Sequence, residues 1–459
     1  MIDKILASNN KIGEVRIEND ELVVPRYLAE DKEKNTNFKD LITNLLPRVD
    51  LADILLEVDS WVNFSKHFTH ASGNESRSNE ITTSIYASII SFACNIGHTQ
   101  MSQASGISRQ SLIWATEWYL RHDTLKSACA EIINYHHKHP LSSYWGTGTF
   151  SSSDGQRLST SVKSIIATKN PKYYGHNTNM ITNYTWTSDQ GSQYGTKMIT
   201  STKRDATYTL DEFLNNITEL EILEHTTDTA GYTDIVFALF DLLGLKFCPR
   251  LKDIGGQKLY CFADVAEKYK HVVPLLKGNI RENYILKHSD EMLRIVASIK
   301  LGWVTSSLLV SKIQSSKGIS LAANPLREYG YIEKTIHILK YISDEGYQRK
   351  IGKQLNKGEA LHSLRQFIFF LNESKIIIAE PEDQQLQADC LNLVINAVVL
   401  WNTVYMWLAI EQLKNDGRNI TDDDIAGLFP CRSEHINRLG KFLFHSRKRL
   451  KLRPLTPLK

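Results

Sequence analysis

Several marks of common functional classes are missing from this chain of 459 residues. Its six cysteines include no Cys-x-x-Cys pair and are too sparse to staple a chain of this length, which indicates buried thiols in a reducing cytoplasm. The start has no apolar stretch of signal-peptide length, and no Gly-x-x-x-x-Gly-Lys-Ser/Thr loop occurs, so neither export nor ATP hydrolysis is expected. The net charge of +3 is too small to argue by itself for a polyanionic partner.

The overall composition is that of a folded protein. Apolar residues make up 42% and charged residues 23%, near the average for globular domains. At roughly 150 residues per domain, the length predicts about three domains, or two with a large insertion.

One uncharged segment raises the question of a membrane. Residues 391–410, LNLVINAVVLWNTVYMWLAI, have the length of a bilayer crossing. They contain four polar residues, Asn392, Asn396, Asn402 and Thr403. Such side chains are costly in hydrocarbon unless they find partners, and the sequence has no second segment of this kind. We therefore predict a helix buried on all sides within a domain, and no membrane attachment.

Hydrophobic periodicity divides the first half of the chain into two parts. Apolar residues at spacings of three and four predict helices over 49–68 and 110–139, and Pro140 ends the second run. From about residue 144, short segments rich in Thr, Ile, Val and aromatic residues predict strands separated by turns. These segments are YWGTGTFSSSD, TSVKSIIAT, MITNYTWTSD and GTKMITSTKRD. We expect three strands in a meander, a helix over 209–217, and a fourth strand over 219–225.

The pattern after residue 230 is helical again. Helices are predicted over 233–244, 289–316, 326–343 and 346–372, with the strand-like patches FCPRL and KLYCF after the first of them. The closing residues 445–459 hold six Lys or Arg and no acid. We expect a solvated tail there, with nucleic-acid contact as the alternative.

Three acidic residues stand out by their positions. Asp154 lies at the predicted end of the first strand, Asp228 just past the fourth strand, and Glu359 in a helix with one apolar side. Carboxylates that leave adjacent strand ends can converge, and a helix packed on the sheet can present a third. Such a trio could hold two hard divalent cations, which clamp the attacking and leaving oxygens in phosphoryl transfer. With 51 acidic residues in the chain, three unrelated surface carboxylates remain the alternative.

A basic segment with interleaved aromatic residues follows the first of these acids. Between residues 155 and 205, seven Lys or Arg stand against two acidic residues. This pattern indicates a surface that grips phosphates and stacks on unpaired bases; the alternative is aromatic packing across a sheet with lysines in solvent. We predict DNA contacts for Arg157, Lys172, Lys203 and Arg204. Arg157 is the strongest candidate because it follows Asp154 by three positions.

Histidines offer weaker signals. The cluster His136, His137 and His139 stands at a helix end without a spaced Cys or other partner, so we do not expect a zinc site there. His225 and His362 lie close in sequence to the second and third of the acids. A packed or exposed histidine is the preferred interpretation for each; the alternative is that they orient a phosphate or a metal-bound water.

Six long runs carry a family resemblance. They are LPRVDLADILLEVDSWVNFSKHFTH (46–70), SSSDGQRL (151–158), EHTTDTAGYTDIVFALFDLLGLKFCPRLKDI (224–254), LREYGYIEKTIHILKYI (326–342), LNKGEALHSLRQFIFF (355–370) and LNLVINAVVLWNTVY (391–405). In this order and spread over most of residues 40–440, they resemble the C-terminal catalytic part of the large replicative transposases of the Tn3 (transposon-three) family. That family belongs to the DDE group, whose catalytic core is RNase H-like.

The resemblance implies a site and a reaction. Asp154, Asp228 and Glu359 would form the catalytic triad and ligate Mg²⁺ or Mn²⁺, as two ions. Water would nick a transposon end, and the freed 3′ hydroxyl would attack target DNA in replicative transposition. Asp234 is a rival for the second carboxylate, but we predict that it lies inside a helix, and we prefer Asp228.

The resemblance also implies partners and a location. The partners would be the DNA of transposon ends and target, bound by a homodimer, and no membrane would take part. The protein would act in the bacterial cytoplasm, at the nucleoid.

The fold class expected from pattern and resemblance together is α+β and rich in helix. It comprises an RNase H-like core, which is a mixed sheet with flanking helices, a large helical insertion, and an N-terminal helical region. The expected regions are 1–140, mainly helical; 141–230, the first part of the core; 231–345, the insertion; 346–415, the second part of the core with the catalytic helix and the buried helix; and 416–459, a helical segment with the basic tail.

Two departures from the family pattern support an alternative function. Family members are normally much longer, with N-terminal domains that recognise terminal inverted repeats, whereas this chain begins shortly before the catalytic region. Residues 371–389 are acidic where relatives tend to be basic and Arg-rich. The alternative is therefore a truncated, non-catalytic DNA-binding remnant that interferes with an intact transposase.

Overall fold

The computed structural model is a mixed α/β structure, as expected. The residues that the structure describes are 11–12, 15–18, 21–23, 33–73, 79–169, 178–252, 254, 256–263, 268–269, 275–315, 323–444 and 451–457.

The N-terminal part is mainly helical. Three short antiparallel strands come first: β1 (Lys11–Ile12), β2 (Val15–Glu18) and β3 (Glu21–Val23). The next elements are α1 (Glu33–Leu45), β4 (Val49–Asp50), α2 (Leu51–Val62), α3 (Asn79–Ala93), α4 (His98–Ser105), α5 (Arg109–Tyr119) and α6 (His122–Lys138). Short 3-10 helices cover Phe64–His67 and Pro140–Tyr144.

The helix predicted over 110–139 is two helices, α5 and α6. Leu120 and Arg121 have extended backbone angles, and the backbone N–H of Arg121 donates to Oγ1 of Thr124 at 3.1 Å, so α6 begins with its own cap. The apolar spacing continues across this break, which is why periodicity alone missed it. The second helix ends before Pro140, as predicted.

A six-stranded mixed sheet follows. Its strands are β5 (Phe150–Thr160), β6 (Thr168–Lys169), β7 (Asn179–Ser188), β8 (Gln193–Thr200), β9 (Glu224–Thr227) and β10 (Lys246–Phe247). The order across the sheet is β8–β7–β5–β9–β10, and β6 pairs with the start of β7. The strands β5, β7 and β8 are antiparallel neighbours, while β9 and β10 continue the sheet in parallel with β5.

The pairing of β5 differs on its two sides. Its antiparallel ladder with β7 runs the full length of the strand, from Ser151 to Thr160. Its parallel ladder with β9 stops at the pair Ser153–Thr227. The next residue on each chain, Asp154 within β5 and Asp228 just past β9, therefore lies at the carboxyl end of β9.

Two predictions in this region were wrong in detail. The segment TSVKSIIAT (160–168) is not a strand for most of its length, because the N–H of Ser161 donates to the carbonyl oxygen of Ile376 at 3.1 Å instead of joining a sheet neighbour. The predicted helix over 209–217 is the short α7 (Asp211–Leu214). It ends early because Oδ1 of Asn216 accepts the N–H of Thr218 at 3.0 Å in an Asx turn.

The next part of the chain is mainly helical. Its elements are α8 (Asp234–Leu242), β11 (Leu259–Cys261), β12 (Leu276–Asn279), α9 (Glu282–Lys287), α10 (Ser289–Lys300), α11 (Ser306–Ser315), α12 (Ala323–Ser343) and α13 (Glu345–Ile368). The helix α8 ends just before Gly244, whose φ of 78° suits the end of a helix, as predicted. The helix predicted over 289–316 is divided by a turn at Gly302, with φ of 72°.

The remaining elements are α14 (Pro381–Asn415), α15 (Asp422–Ala426) and β13 (Ile436–Asn437), which pairs with β4. The long helix α14 runs through the largest hydrophobic cluster of the protein, where it meets α2, α3, α6 and β8. By length and composition this helix could cross a bilayer. However, 83% of its most apolar 18 residues lie buried inside the protein. The prediction of a buried core helix is confirmed.

Polar residues on α14 find partners within the protein. Asn392 and Asn396 donate to the carbonyl oxygen of Gln193 on β8, at 3.1 and 2.9 Å. Asn402 donates to the carbonyl oxygens of Pro430 and of Arg432, at 2.9 and 2.8 Å. These hydrogen bonds satisfy the side-chain N–H groups of the three amides, while Oδ1 of Asn392 is buried without a partner among the described residues.

The C-terminal residues 451–457 return to the N-terminal helices. Arg453 forms ion pairs with Asp53, at 2.7 Å, and with the buried Glu57, both on α2. We call residues 451–457 the C-terminal strap. The expectation of a solvated basic tail is therefore wrong for Arg453, whereas residues 445–450 lie outside the described part of the chain.

Candidate active site

Asp154 lies within a strand rather than at its end. It is the fifth residue of β5, opposite Thr185 on β7, so the prediction that the strand stops there was wrong. Asp154 nevertheless lies beside the end of a strand, because the neighbouring parallel strand β9 stops at Thr227, opposite Ser153. The side chain is 28% exposed, and its Oδ1 accepts the N–H of Gly155 at 2.7 Å.

Asp228 follows the last residue of β9 directly and is exposed. Since Ser153 pairs with Thr227, the next residue on each strand is one of the two aspartates. Residues that are paired in neighbouring parallel strands point their side chains to the same face of the sheet. The two carboxylates are therefore brought together. The negative charge of Asp228 accordingly acts on Asp154 and raises its pKa.

Glu359 reaches the same edge from α13. This helix lies on the sheet through Gln354, whose Nε2 donates to Oγ of Ser152 at 3.1 Å, and through its own carbonyl at His362, which accepts from Nε2 of Gln156 at 3.2 Å. Because side chains alternate along a strand, Asp154 faces α13 between these two anchors. The Glu359 side chain is 71% exposed and open to a ligand.

The electrostatics show a concentration of like charge. Burial is the largest cause that raises the pKa of Asp154 to about 7, followed by the charge of Asp228. Glu359 and Asp205 raise the pKa of Asp154 further. Carboxylates held this close repel one another unless protons or cations compensate, so the arrangement favours binding of a cation.

A fourth carboxylate, Asp205, was not predicted as part of the site. It lies in a 3-10 helix, Asp205–Thr207, and burial and then the charge of Asp228 raise its pKa to about 6. Nothing in its local sequence distinguishes it from other acids, because its place depends on how the turn after β8 folds back on the sheet.

His362 completes a group of potential metal ligands. One ligand atom each of Asp154, Glu359 and His362 lies within 4.8 Å of the others. The His362 Nδ1 is 3.9 Å from Oδ2 of Asp154 and 3.8 Å from Oε2 of Glu359. Burial, and then the charge of Arg365, lower the pKa of His362 to about 3, so the ring is neutral at pH 7.

Arg365 lies behind the acids, wholly buried, and was not singled out from the sequence. Burial lowers its pKa to about 10, and the charge of Asp154 raises it, so the guanidinium stays charged at neutral pH. The i, i+3 spacing of Glu359, His362 and Arg365 along α13 is visible in the sequence, but which side of the helix faces the sheet is not.

The predicted DNA-contacting residues are partly described. Arg157 is exposed on β5 but, three positions after Asp154, leaves the sheet on the opposite face, where its charge lowers the pKa of Asp205. Lys203 and Arg204 are exposed in the turn that precedes Asp205. Lys172 lies outside the described residues.

The rival carboxylate Asp234 has another role. It is the first residue of α8, as the prediction of a helical position required, and its Oδ1 pairs with Nζ of Lys334 at 3.2 Å. A negative charge in the first turn also stabilises the helix dipole.

The other histidines weighed from the sequence are packed side chains. His225 is fully buried and bonds through its two ring nitrogens to Ser151 and Ser153, each at 2.8 Å. His136 bonds to Ser192 and Thr403 in the core. His225 is therefore a packed histidine, as preferred from the sequence, and not a residue that orients a phosphate or a metal-bound water.

Comparison with known proteins identifies what this site is similar to. A family model described as the Tn3 transposase DDE domain matches residues 53–442. The transposase of transposon Tn1546 from Enterococcus faecium is 40% identical over 99% of this chain and 46% of its own length. The transposase of transposon Tn501 from Pseudomonas aeruginosa is 37% identical over 98% and 46%, respectively, and that of transposon Tn21 from Escherichia coli is 39% identical over 90% and 42%. The chain thus spans less than half the length of these relatives.

Proposed function

This chain belongs to the Tn3 transposase DDE domain family, and from that membership we propose that it carries the catalytic region of a replicative DNA transposase. The observation that carries the proposal is the convergence of carboxylates from β5, the end of β9 and α13. We assign Asp154, Asp228 and Glu359 as the catalytic triad. The raised pKa of Asp154 supports the assignment, because perturbed carboxylates cluster at functional sites.

We further propose that the sheet is an RNase H-like core. Three antiparallel strands followed by two parallel strands, in the order β8–β7–β5–β9–β10, support this interpretation. The helical elements between β10 and α13 would then be an insertion, and α13 the catalytic helix. The region boundaries at 140, 230, 345 and 415 belong to the same proposal.

The donor set fits hard divalent cations. Oxygen ligands suit Mg²⁺ or Mn²⁺, and the mutual repulsion of the carboxylates would be relieved by positive charge. When bound, two such ions would supply Lewis acidity and charge neutralisation to the attacking and leaving oxygens. Asp154, Asp228 and Glu359 would hold these ions.

The chain's own residues would also hold the DNA. Exposed Lys203 and Arg204, together with Lys172, would contact backbone phosphates near the triad, and exposed Arg157 would contact the DNA backbone from the opposite face of the sheet. In the nicking step, water would attack a scissile phosphate at the acidic edge; one P–O bond forms while the bond from phosphorus to the 3′ oxygen breaks, and that oxygen takes up a proton to become the free 3′ hydroxyl. The 3′ hydroxyl would then attack a target phosphate at the same edge. The new P–O bond forms as the bond to the target strand's own 3′ oxygen breaks, the proton of the attacking hydroxyl passes to solvent, and the leaving oxygen takes one up.

The partners follow from this reaction. Nicking and joining two transposon ends require that both are held together, so we propose a homodimer bound to end and target DNA. The place of action would be the cytoplasm of a bacterium, at the nucleoid. The alternative is a non-catalytic DNA-binding remnant that interferes with an intact transposase.

Strand transfer by the purified chain tests the proposal. Labelled DNA with a pre-exposed 3′ transposon end is incubated with target plasmid and Mg²⁺ or Mn²⁺. We expect joined products, and their loss in Asp154→Asn, Asp228→Asn and Glu359→Gln. Asp234→Asn is the matched control, since this carboxylate lies outside the site and should leave joining intact.

The same assay decides between the two functions. Binding of DNA by folded wild-type protein without joined products would support the non-catalytic alternative. Joining that persists in the triad variants would refute the assignment of these residues.

A further inference from the structure

No hydrogen bond among the described residues explains why the side chain of His362 is buried. His362 is 9% exposed, and its Nε2 is buried without a hydrogen-bond partner among the described residues. Its Nδ1 faces the carboxylates of Asp154 and Glu359 at 3.9 and 3.8 Å, which is too long for a hydrogen bond. Nδ1 is thus the ring nitrogen that could bind a cation between the two acids, and Nε2 would carry the proton of the neutral ring.

The distances from Nδ1 of His362 to the carboxylates of Asp154 and Glu359 suit a metal ion bound between the three side chains. Metal–nitrogen and metal–oxygen bonds to divalent cations are about 2.0–2.2 Å long, so one ion can span two donors up to roughly 4 Å apart. The distances from Nδ1 to the two carboxylates lie within that reach. The backbone around the ring is also fixed, because the carbonyl of His362 accepts a hydrogen bond from Gln156 on β5.

The helical spacing is suited to metal binding. Glu359 and His362 are three positions apart on α13 and so lie on the same side of the helix. The pattern Glu-x-x-His places a carboxylate and an imidazole side by side, an arrangement that helical proteins use to bind divalent transition metals. Imidazole suits transition metals, whereas Mg²⁺ prefers oxygen donors.

We infer that His362 is a nitrogen ligand of the ion held between Asp154 and Glu359, and that it makes this site bind Mn²⁺ in preference to Mg²⁺. The inference rests on the proposed function, since it adds a ligand to the proposed catalytic site. It goes beyond the triad because carboxylates alone would give no nitrogen coordination.

Electron paramagnetic resonance of bound Mn²⁺ tests the inference directly. In the wild-type chain, pulsed spectra of Mn²⁺ should show coupling to ¹⁴N, and the coupling should vanish in His362→Gln. The control is His70→Gln, because His70 lies on the surface, stacked on Trp118 at 4.8 Å, and should not alter the spectrum.

Affinity supplies a second readout. His362→Gln should weaken Mn²⁺ binding by at least about 10-fold, a loss typical of disrupting a metal's ligand environment. Mg²⁺ binding, measured by competition against Mn²⁺, should change by less than about 3-fold because Mg²⁺ gains little from nitrogen. Thermal melting in metal-free buffer checks that the variant is folded.

The outcomes separate this inference from the proposed function. Bound Mn²⁺ without ¹⁴N coupling, or coupling that persists in His362→Gln, would overturn the role of His362 alone. Unchanged Mn²⁺ binding in Asp154→Asn and Glu359→Gln would instead count against the proposed catalytic site. If His362→Gln does not fold, the wild-type spectrum still decides whether nitrogen is bound.

Discussion

Arg365 on α13 donates a hydrogen bond from Nη1 to Oε1 of Gln156 on β5 at 2.6 Å. Its Nη2 donates to Gln193 and Thr185, at 3.1 and 3.3 Å. These acceptors are neutral, so the buried guanidinium is balanced by charge only at longer range, through Asp154. The protein therefore holds a positive charge behind an acidic site, and this charge moderates the repulsion among the carboxylates.

Removing that charge should destabilise the protein. We expect Arg365→Met to lower the free energy of unfolding by about 3–5 kcal/mol, because it leaves buried acceptors unsatisfied and the acids uncompensated. Denaturant titration of both proteins in metal-free buffer measures the loss. Arg349→Met is the control: this arginine pairs with Glu345 at the surface of the same helix and should matter by less than about 1 kcal/mol. A loss as small as that of the control would contradict the balancing role.

The metal-free protein should lose stability as pH rises. The pKa of Asp154 is raised from 3.8 to about 7 in the folded state. The contribution of this carboxyl to the free energy of unfolding is therefore complete below pH 4 and is lost as pH rises through 7. The loss is up to about 4 kcal/mol. Asp205 acts in the same direction, with a pKa of about 6.

Thermal melting in the presence of a chelator, from pH 5 to pH 8, checks this dependence. Asp154→Asn should flatten the curve, although Asp205 leaves part of the slope. Addition of Mn²⁺ should restore stability most strongly above pH 7, where the carboxylates are ionised. A wild-type curve as flat as that of the variant would show that the carboxyl is not perturbed.

The C-terminal strap should stabilise the helical part through Arg453. The Glu57 carboxylate is buried and accepts hydrogen bonds from Trp401 and Tyr405, at 2.8 and 2.9 Å, besides pairing with Arg453. We expect Arg453→Ala to cost about 3–5 kcal/mol, because it strands a buried negative charge. Combining it with Glu57→Gln should recover part of this loss, as a double-mutant cycle in urea would measure. Lys451→Ala, an exposed change in the strap, should have little effect.

DNA affinity should depend on the turn before Asp205. The double variant Lys203→Ala, Arg204→Ala is expected to weaken binding of duplex DNA of any sequence. The slope of log affinity against log salt should fall by about 2, nearly one for each phosphate that a side chain no longer neutralises. Fluorescence anisotropy at several salt concentrations measures it, with the exposed Lys300→Ala on α10 as control. An unchanged slope would place DNA elsewhere on the surface.

Some helices could be predicted from the sequence because their own residues determine the secondary structure. The helices α8 and α13 and the buried run within α14 follow from apolar spacing, and Gly244 marks the end of α8. The interpretation of residues 391–410 was also confirmed, because a 20-residue run with several amides needs partners that a protein core can supply.

Tertiary contacts decided what the pattern could not. Asp154 was placed at a strand end, but β5 continues because β7 pairs along its whole length. The segment 160–168 has strand-like residues, yet its backbone bonds to Ile376, more than two hundred residues away. Asp205 and Arg365 join the site through folding of a turn and the orientation of a helix, which single-sequence periodicity does not encode.

The position of α14 along the chain has a consequence for the order of folding. The helices α2, α3 and α6 and the strand β8 all pack on this helix, yet it ends at Asn415, late in synthesis. At about 5–20 residues per second, the ribosome needs tens of seconds after α6 to deliver it. During that interval the apolar surfaces that contact α14 in the folded protein are uncovered. We therefore expect a nascent chain that still lacks α14 to expose apolar surface and to bind chaperones.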